Sequence, residues 1–445
     1  MPAEYFQWLG IPQPPEGGDY YVLSVKFLRD YLKDESLDHR DEFLQRAGHA
    51  MQWPWLAEDE PELANWIERN EKPLAIIAQA AQKSEYYNPL VPKRWTEDWP
   101  TSLIQSLLPN AQVCREVVAV LCARAMSQMN QGNTGVAWHV LITCHRFCRL
   151  LQRGGTLIEL LIGIACEQIT IKAELVFLFH SKMPSDQILG YWWEIKKLPA
   201  PSPVADKMDL TERFVLLQMI LGMARFGPEY ADIETKRGGS SAPLPPKENP
   251  FFSRVFTHSV NYDPAFRNAN RYYDRLAASM RIPDRAQRER ETATIITEIR
   301  AARLEAITPD TFIKKEFFGP SYRGKKIGEI LVGTLLPAFD KLVSATDRLE
   351  QTHRNLHLAF ALAAYHADHR RYPEALAELA PKSIDQIPDD LFSGKPLIYR
   401  LEGDGYLLYS VGVNGINDGG RGYDDDPKGD DLVIRMPVPE PKLKK

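Results

Sequence analysis

Four long stretches carry apolar residues at three- and four-residue spacing, and this helical period constrains the fold more than any other feature. Residues 113–129 (VCREVVAVLCARAMSQM) and 135–151 (GVAWHVLITCHRFCRLL) flank NQGNTG, a turn at 130–135. The period continues through 155–179 and 210–227. Antiparallel helices joined by short turns are therefore expected in the first half of the chain. With 445 residues there is length for two or three domains, each with a buried core.

The placement of Gly132 and Ala137 resembles one tetratricopeptide unit, although no second copy stands in register. The nine tryptophans all lie between Trp8 and Trp193, and the five cysteines between Cys114 and Cys166. That step in composition suggests separately built parts. A helical domain is expected over 1–235, followed by a linker at 236–250, KRGGSSAPLPPKENP, whose Gly, Ser and Pro content suits neither helix nor packed strand. A helical segment is expected over 251–345, including a strongly charged helix at 284–307. A last long helix should begin near Gly333 or Leu335 and run through Asp368, with 356–367 (LHLAFALAAYHA) buried. The final unit, 346–445, reads as a small α+β domain. In it LIYRL and YLLYSV flank EGDG as a hairpin, and DLVIRMP at 431–437 supplies a further strand. The fold class is thus mainly α, with a multi-helix N-terminal part and a short antiparallel sheet near the C-terminus.

Charge and motif content exclude several functions. The net charge of −5 argues against a broad basic face for nucleic acid. Five cysteines in so long a chain are not a disulfide framework; their apolar helix faces suit small buried hydrophobes. No stretch reaches the roughly 20 apolar residues of a membrane span, and the N-terminus lacks the basic and apolar regions of a signal peptide. No GxSxG, GxxxxGK[ST], HExxH or GxGxxG is present, so no enzyme is expected. His353, His357, His366 and His369 share one expected helix, but no carboxylate or cysteine completes a zinc signature there.

The chemical signal is the loop at 410–433, SVGVNGINDGGRGYDDDPKGDDLV. Between Leu401 and Arg435 there are eight Asp or Glu against three Lys or Arg. So many carboxylates repel one another unless compensated, and calcium takes six to eight oxygens from carboxylates, amides and carbonyls. The other reading is a solvated acidic loop without an ion. It is not an EF-hand: Asp424, Asp426 and Gly429 fit its first, third and sixth positions, but Lys428 and Arg435 stand where the fifth and twelfth belong.

From about Leu349 to Pro437 four pieces occur in order: AAYHADHRRYP, IPDDLFSGKPLIYR, GYLLYSVGVNG, and an Asp-rich loop leading into a strand. Together they resemble the C-terminal part of the type II secretion major pseudopilin, over about a fifth of the chain. The resemblance implies a structural calcium ion in the loop. Carried over, Asn414 takes the place of the family's first ligand aspartate and Val411 that of a carbonyl donor, while Asp430 and Asp431 fall near the later carboxylates. Asparagine brings no charge and the loop here is longer, so Asp418, Asp424, Asp425 or Asp426 would substitute. The resemblance further implies a non-enzymatic protein on the extracytoplasmic side of the cell envelope, a component or relative of a secretion or pilus-like apparatus. Its partners would be other proteins, and an anchor upstream of this chain would favour this envelope reading. The alternative is a helical-repeat interaction scaffold unrelated to secretion, located in the cytoplasm. A second string, RGGTLIELLIGIA at 153–165, is similar to a prepilin processing motif; equally, Thr156 and Glu159 suit a helix capping box there.

Overall fold

The computed structural model describes residues 20–22, 46, 48–88, 95–96, 99–100, 110–227, 230, 260–308 and 319–441. The expected linker at 236–250 lies outside the described residues. Helices α1 (Pro61–Arg69) and α2 (Glu71–Ala80) precede a bundle of α3 (Asn110–Asn130), α4 (Thr134–Gln152), α5 (Leu157–His180) and α6 (Ser185–Lys196). A π-helical turn, Met208–Glu212, leads into α7 (Arg213–Phe226); then follow α8 (Asp263–Met280), α9 (Arg285–Ala306) and α10 (Gly319–His369). Short ribbons join β1 (Tyr20–Val22) to β2 (Glu85–Tyr87) and β3 (Trp95–Thr96) to β4 (Trp99–Pro100). The chain is mainly helical, with a three-stranded antiparallel sheet near the C-terminus, as expected.

Helices α3, α4 and α5 pack on one another over a core that includes all five cysteines. The start of α5 resolves the string at 153–165. Thr156 is the N-cap: its hydroxyl accepts from the Glu159 amide at 3.1 Å, and the Glu159 carboxylate accepts from the Thr156 amide at 3.0 Å. This reciprocal box satisfies two amides that the helix start leaves without partners. The following helix crosses α4 closely at Gly163, where an added Cβ would lie 2.9 Å from the Cys148 carbonyl oxygen.

Helix α10 organises the rest. It packs against α8 and α9, then α5 and α6, and finally β6 and β7 of the sheet. Its start is earlier than the periodicity suggested, and residue 345, the expected domain boundary, lies inside it. Leu356, Phe360 and Leu362 are fully buried, since this stretch has neighbours on every side.

The sheet has the order β5 (Ile398–Glu402), β6 (Gly405–Ser410), β7 (Leu432–Met436). The hairpin turns within EGDG at Gly403–Asp404, with Gly403 at φ +58°. Gly405 already belongs to β6, paired with Glu402 of β5, and β7 approaches it so closely that an added Cβ would meet the Met436 carbonyl oxygen at 1.7 Å. Every residue of β6 is buried. Tyr406 and Leu408 join the main core with Ile434 and Met436. Leu407 and Tyr409, which alternate to the other face, are covered instead by the acidic loop, whose Gly420 lies against both side chains.

Candidate functional site

The loop between β6 and β7 holds every residue expected to bind the ion, and the structure shows what each touches. Asp430 Oδ1 accepts from Arg348 Nη2 of α10 at 2.5 Å, and its Oδ2 from the Asn414 amide at 3.0 Å. Asp431 is buried and accepts from the amides of Gly420 at 2.7 Å and Asp418 at 3.3 Å. Burial raises the Asp431 pKa in spite of those amides. Asp418 accepts from the Asp430 amide at 2.8 Å, with Arg421 3.8 Å away. Asp425 accepts from the Gly422 amide at 2.7 Å and Arg435 Nη2 at 2.9 Å. Burial opposes its charge, but that amide and arginine outweigh it and hold its pKa below the usual range.

The remaining candidates do not converge on these. Asp424 is exposed and pairs with Lys172 of α5 at 3.2 Å; Asp426 is exposed. The Asn414 side chain accepts from the Ile416 amide at 2.8 Å. The Val411 amide donates to Asp390 Oδ2 at 3.2 Å. Asp390, which lies outside the loop, is the carboxylate that anchors the loop's start. It also accepts from Ser410 at 2.7 Å, Ser393 at 2.9 Å and the Phe392 amide at 3.0 Å. Among the described residues, no three His, Cys, Asp or Glu side chains group as they would to hold a metal ion. As arranged, Asp418, Asp425, Asp430 and Asp431 turn oxygens toward N–H and guanidinium donors, and Asp424 and Asp426 stand exposed, so the loop acids do not converge as a calcium site of six to eight oxygens requires.

A second polar centre, inside the helical bundle, was not expected from sequence. Glu167 and Glu174 of α5 and His145 of α4 have fully buried side chains. His145 Nε2 lies 3.1 Å from Glu174 Oε2, and Nδ1 lies 3.6 Å from Glu167 Oε1. The same Glu167 oxygen is 3.1 Å from Arg149 Nη2 and 2.9 Å from His353 Nε2 of α10, while Gln152 donates to Oε2. Burial alone would push the His145 pKa down, but Glu174 and Glu167 overturn this and hold it at about 9. Burial likewise opposes the Glu167 charge, and His353, His145 and Arg149 hold its pKa well below the carboxylate range. The visible signal was that Glu167 and Glu174 interrupt an apolar helix, which places them seven residues apart on one face.

The other α10 histidines have separate surroundings: His357 stacks on Trp192, His366 on Tyr372 and His369 on Tyr365. The five cysteines are buried thiols. Among the described residues no helix is long and apolar enough to cross a membrane. Comparison with protein-family profiles, with curated proteins and with solved structures finds no match.

Proposed function

We propose that this protein is a non-enzymatic docking scaffold of the cell envelope, a relative of type II secretion and pilus-like machinery that presents a pseudopilin-like module on a helical body. The observation that supports a mounted module over a filament subunit is α10. Its stretch around Leu356, Phe360 and Leu362 is fully buried, and the helix packs against α5 and α6 as well as the sheet. A helix so enclosed is not available to bundle with copies of itself. Buried amides fasten the module to it: Gln351 accepts from the Leu391 amide at 2.6 Å, and Asn355 donates to the Leu432 carbonyl at 2.9 Å. Leu401, Ile416 and Tyr423 are exposed and offer apolar contact area.

The test is site-specific photocrosslinking from Ile416 and Tyr423 of the full chain in cells that carry such an apparatus, with fractionation. Crosslinks to secretion or pilus components in the envelope fraction, and absence from sheared filaments, are the expected result. Recovery only in the cytoplasm with no such crosslink would sink the envelope reading.

A second reading, a helical interaction scaffold unrelated to secretion, has an observation of its own. Leu210, in the π-helical turn, and Phe214 and Leu221 of α7 are each more than half exposed, and the last two, seven residues apart, share one face of α7. Loss of partner binding on polar substitution of these three, with binding kept on polar substitution of Leu401, Ile416 and Tyr423, would favour it.

A further inference from the structure

We infer that the acidic loop is closed by arginine and backbone amides in the place where an ion would otherwise be needed, with Arg348 of α10 as its principal cation. This does not depend on the docking role.

The inference starts from the repulsion that so many carboxylates create. A loop with Asp418, Asp424, Asp425, Asp430 and Asp431 needs positive charge or N–H donors close to its oxygens. The structure supplies both from within the chain. Arg348 is held 2.5 Å from Asp430, a partly buried pair. Arg435 lies 2.9 Å from Asp425 and also donates to the Gly420 carbonyl. Lys172 meets Asp424. The amides of Asn414, Asp418, Gly420, Gly422 and Asp430 donate to the carboxylates of Asp430, Asp431, Asp425 and Asp418.

The packing leaves this arrangement little freedom. Gly412 has φ +70°, and an added Cβ there would lie 2.0 Å from the Asp430 carbonyl oxygen and 2.8 Å from its carboxylate. The strand end and the acid therefore press directly together. A divalent cation placed on Asp430 would sit within a few ångströms of the Arg348 guanidinium, a like charge that must leave before the ion gains. Because Arg348 belongs to α10, its bond also fastens the loop to the long helix, which an ion held by loop residues alone would not do.

Hydrogen exchange of loop peptides covering 412–431 in the full chain tests this, with calcium in excess and then with chelator. Calcium is expected to leave exchange unchanged. Arg348→Met is expected to speed it roughly tenfold, the loss of one charge-assisted hydrogen bond. Adding Asp430→Asn to that variant should cause little further change, since the two act as one pair. If Arg348→Met unfolds the chain, Asp430→Asn alone reads the same bond, because it keeps an acceptor for the Asn414 amide. Calcium-dependent slowing in the unaltered chain would overturn the inference. So would an unchanged rate in Arg348→Met, or effects of the two substitutions that simply add.

Discussion

Glu167 Oε1 on α5 lies 2.9 Å from His353 Nε2 on α10, joining a fully buried carboxylate of the first bundle to the helix that carries the sheet. Arg149 reaches the same oxygen. Breaking a buried pair from one side leaves the other charges without compensation, which costs about 3–5 kcal/mol. Glu167→Ala is expected to lower equilibrium stability in urea by that order. Asp424→Ala, which removes only an exposed pair, should change it little. Equal losses in the two variants would show that burial does not set the strength of the Glu167 pairs.

Two histidines should give stability opposite pH limbs. His145 has its pKa raised from 6.5 to about 9. Its contribution is fully present below 6.5 and is lost as pH rises through 9. His357 has its pKa lowered from 6.5 to about 4 by burial beside Trp192, reinforced by Lys196 and opposed by Asp385. Its contribution is present above 6.5 and is lost as pH falls through 4. Thermal midpoints measured across this range should flatten on the alkaline side in His145→Gln and on the acid side in His357→Phe. Unaltered limbs in both would contradict the assignment.

The thiols should be silent in the folded chain. Cys114, Cys122, Cys144, Cys148 and Cys166 are all buried, and burial, before any neighbouring group, pushes the Cys114, Cys144 and Cys148 pKa values up. The thiolate is the reactive form. Titration with a chromogenic disulfide reagent is expected to find none of the five reacting quickly in native buffer and all of them in denaturant. Rapid native labelling would mean that the α3–α4–α5 core opens readily.

The α4–α5 crossing can be probed where propensity and packing disagree. Alanine is favoured over glycine in a helix by about 1 kcal/mol, so an unconstrained Gly163→Ala should stabilise. Here the new methyl would meet the Gln152 side chain at 2.6 Å and its backbone nitrogen at 2.8 Å, and a lower melting midpoint is expected. Thr156→Ala should separately cost about 1 kcal/mol through loss of the N-cap. A stabilised Gly163→Ala would show that the helices can move apart without loss.

Much of the local structure was legible in the sequence because it depends on near neighbours. Apolar spacing marked the bundle helices and the buried stretch of α10, and Thr156 with Glu159 carried a capping box that the structure contains. The hairpin between β5 and β6 followed from alternation and a glycine turn, which falls at Gly403–Asp404. The crowd of aspartates marked the loop as needing compensation, yet the identity of the compensating groups was out of reach. Arg348 and Lys172 arrive from helices distant in the chain, as His353 does at Glu167. Periodicity tells which face of a helix is apolar, but a buried charge takes whichever partner the packing of separate helices brings within hydrogen-bond reach. The full burial of β6 has the same origin: alternation marks two faces, and only the tertiary fold lays α10 over one and the acidic loop over the other.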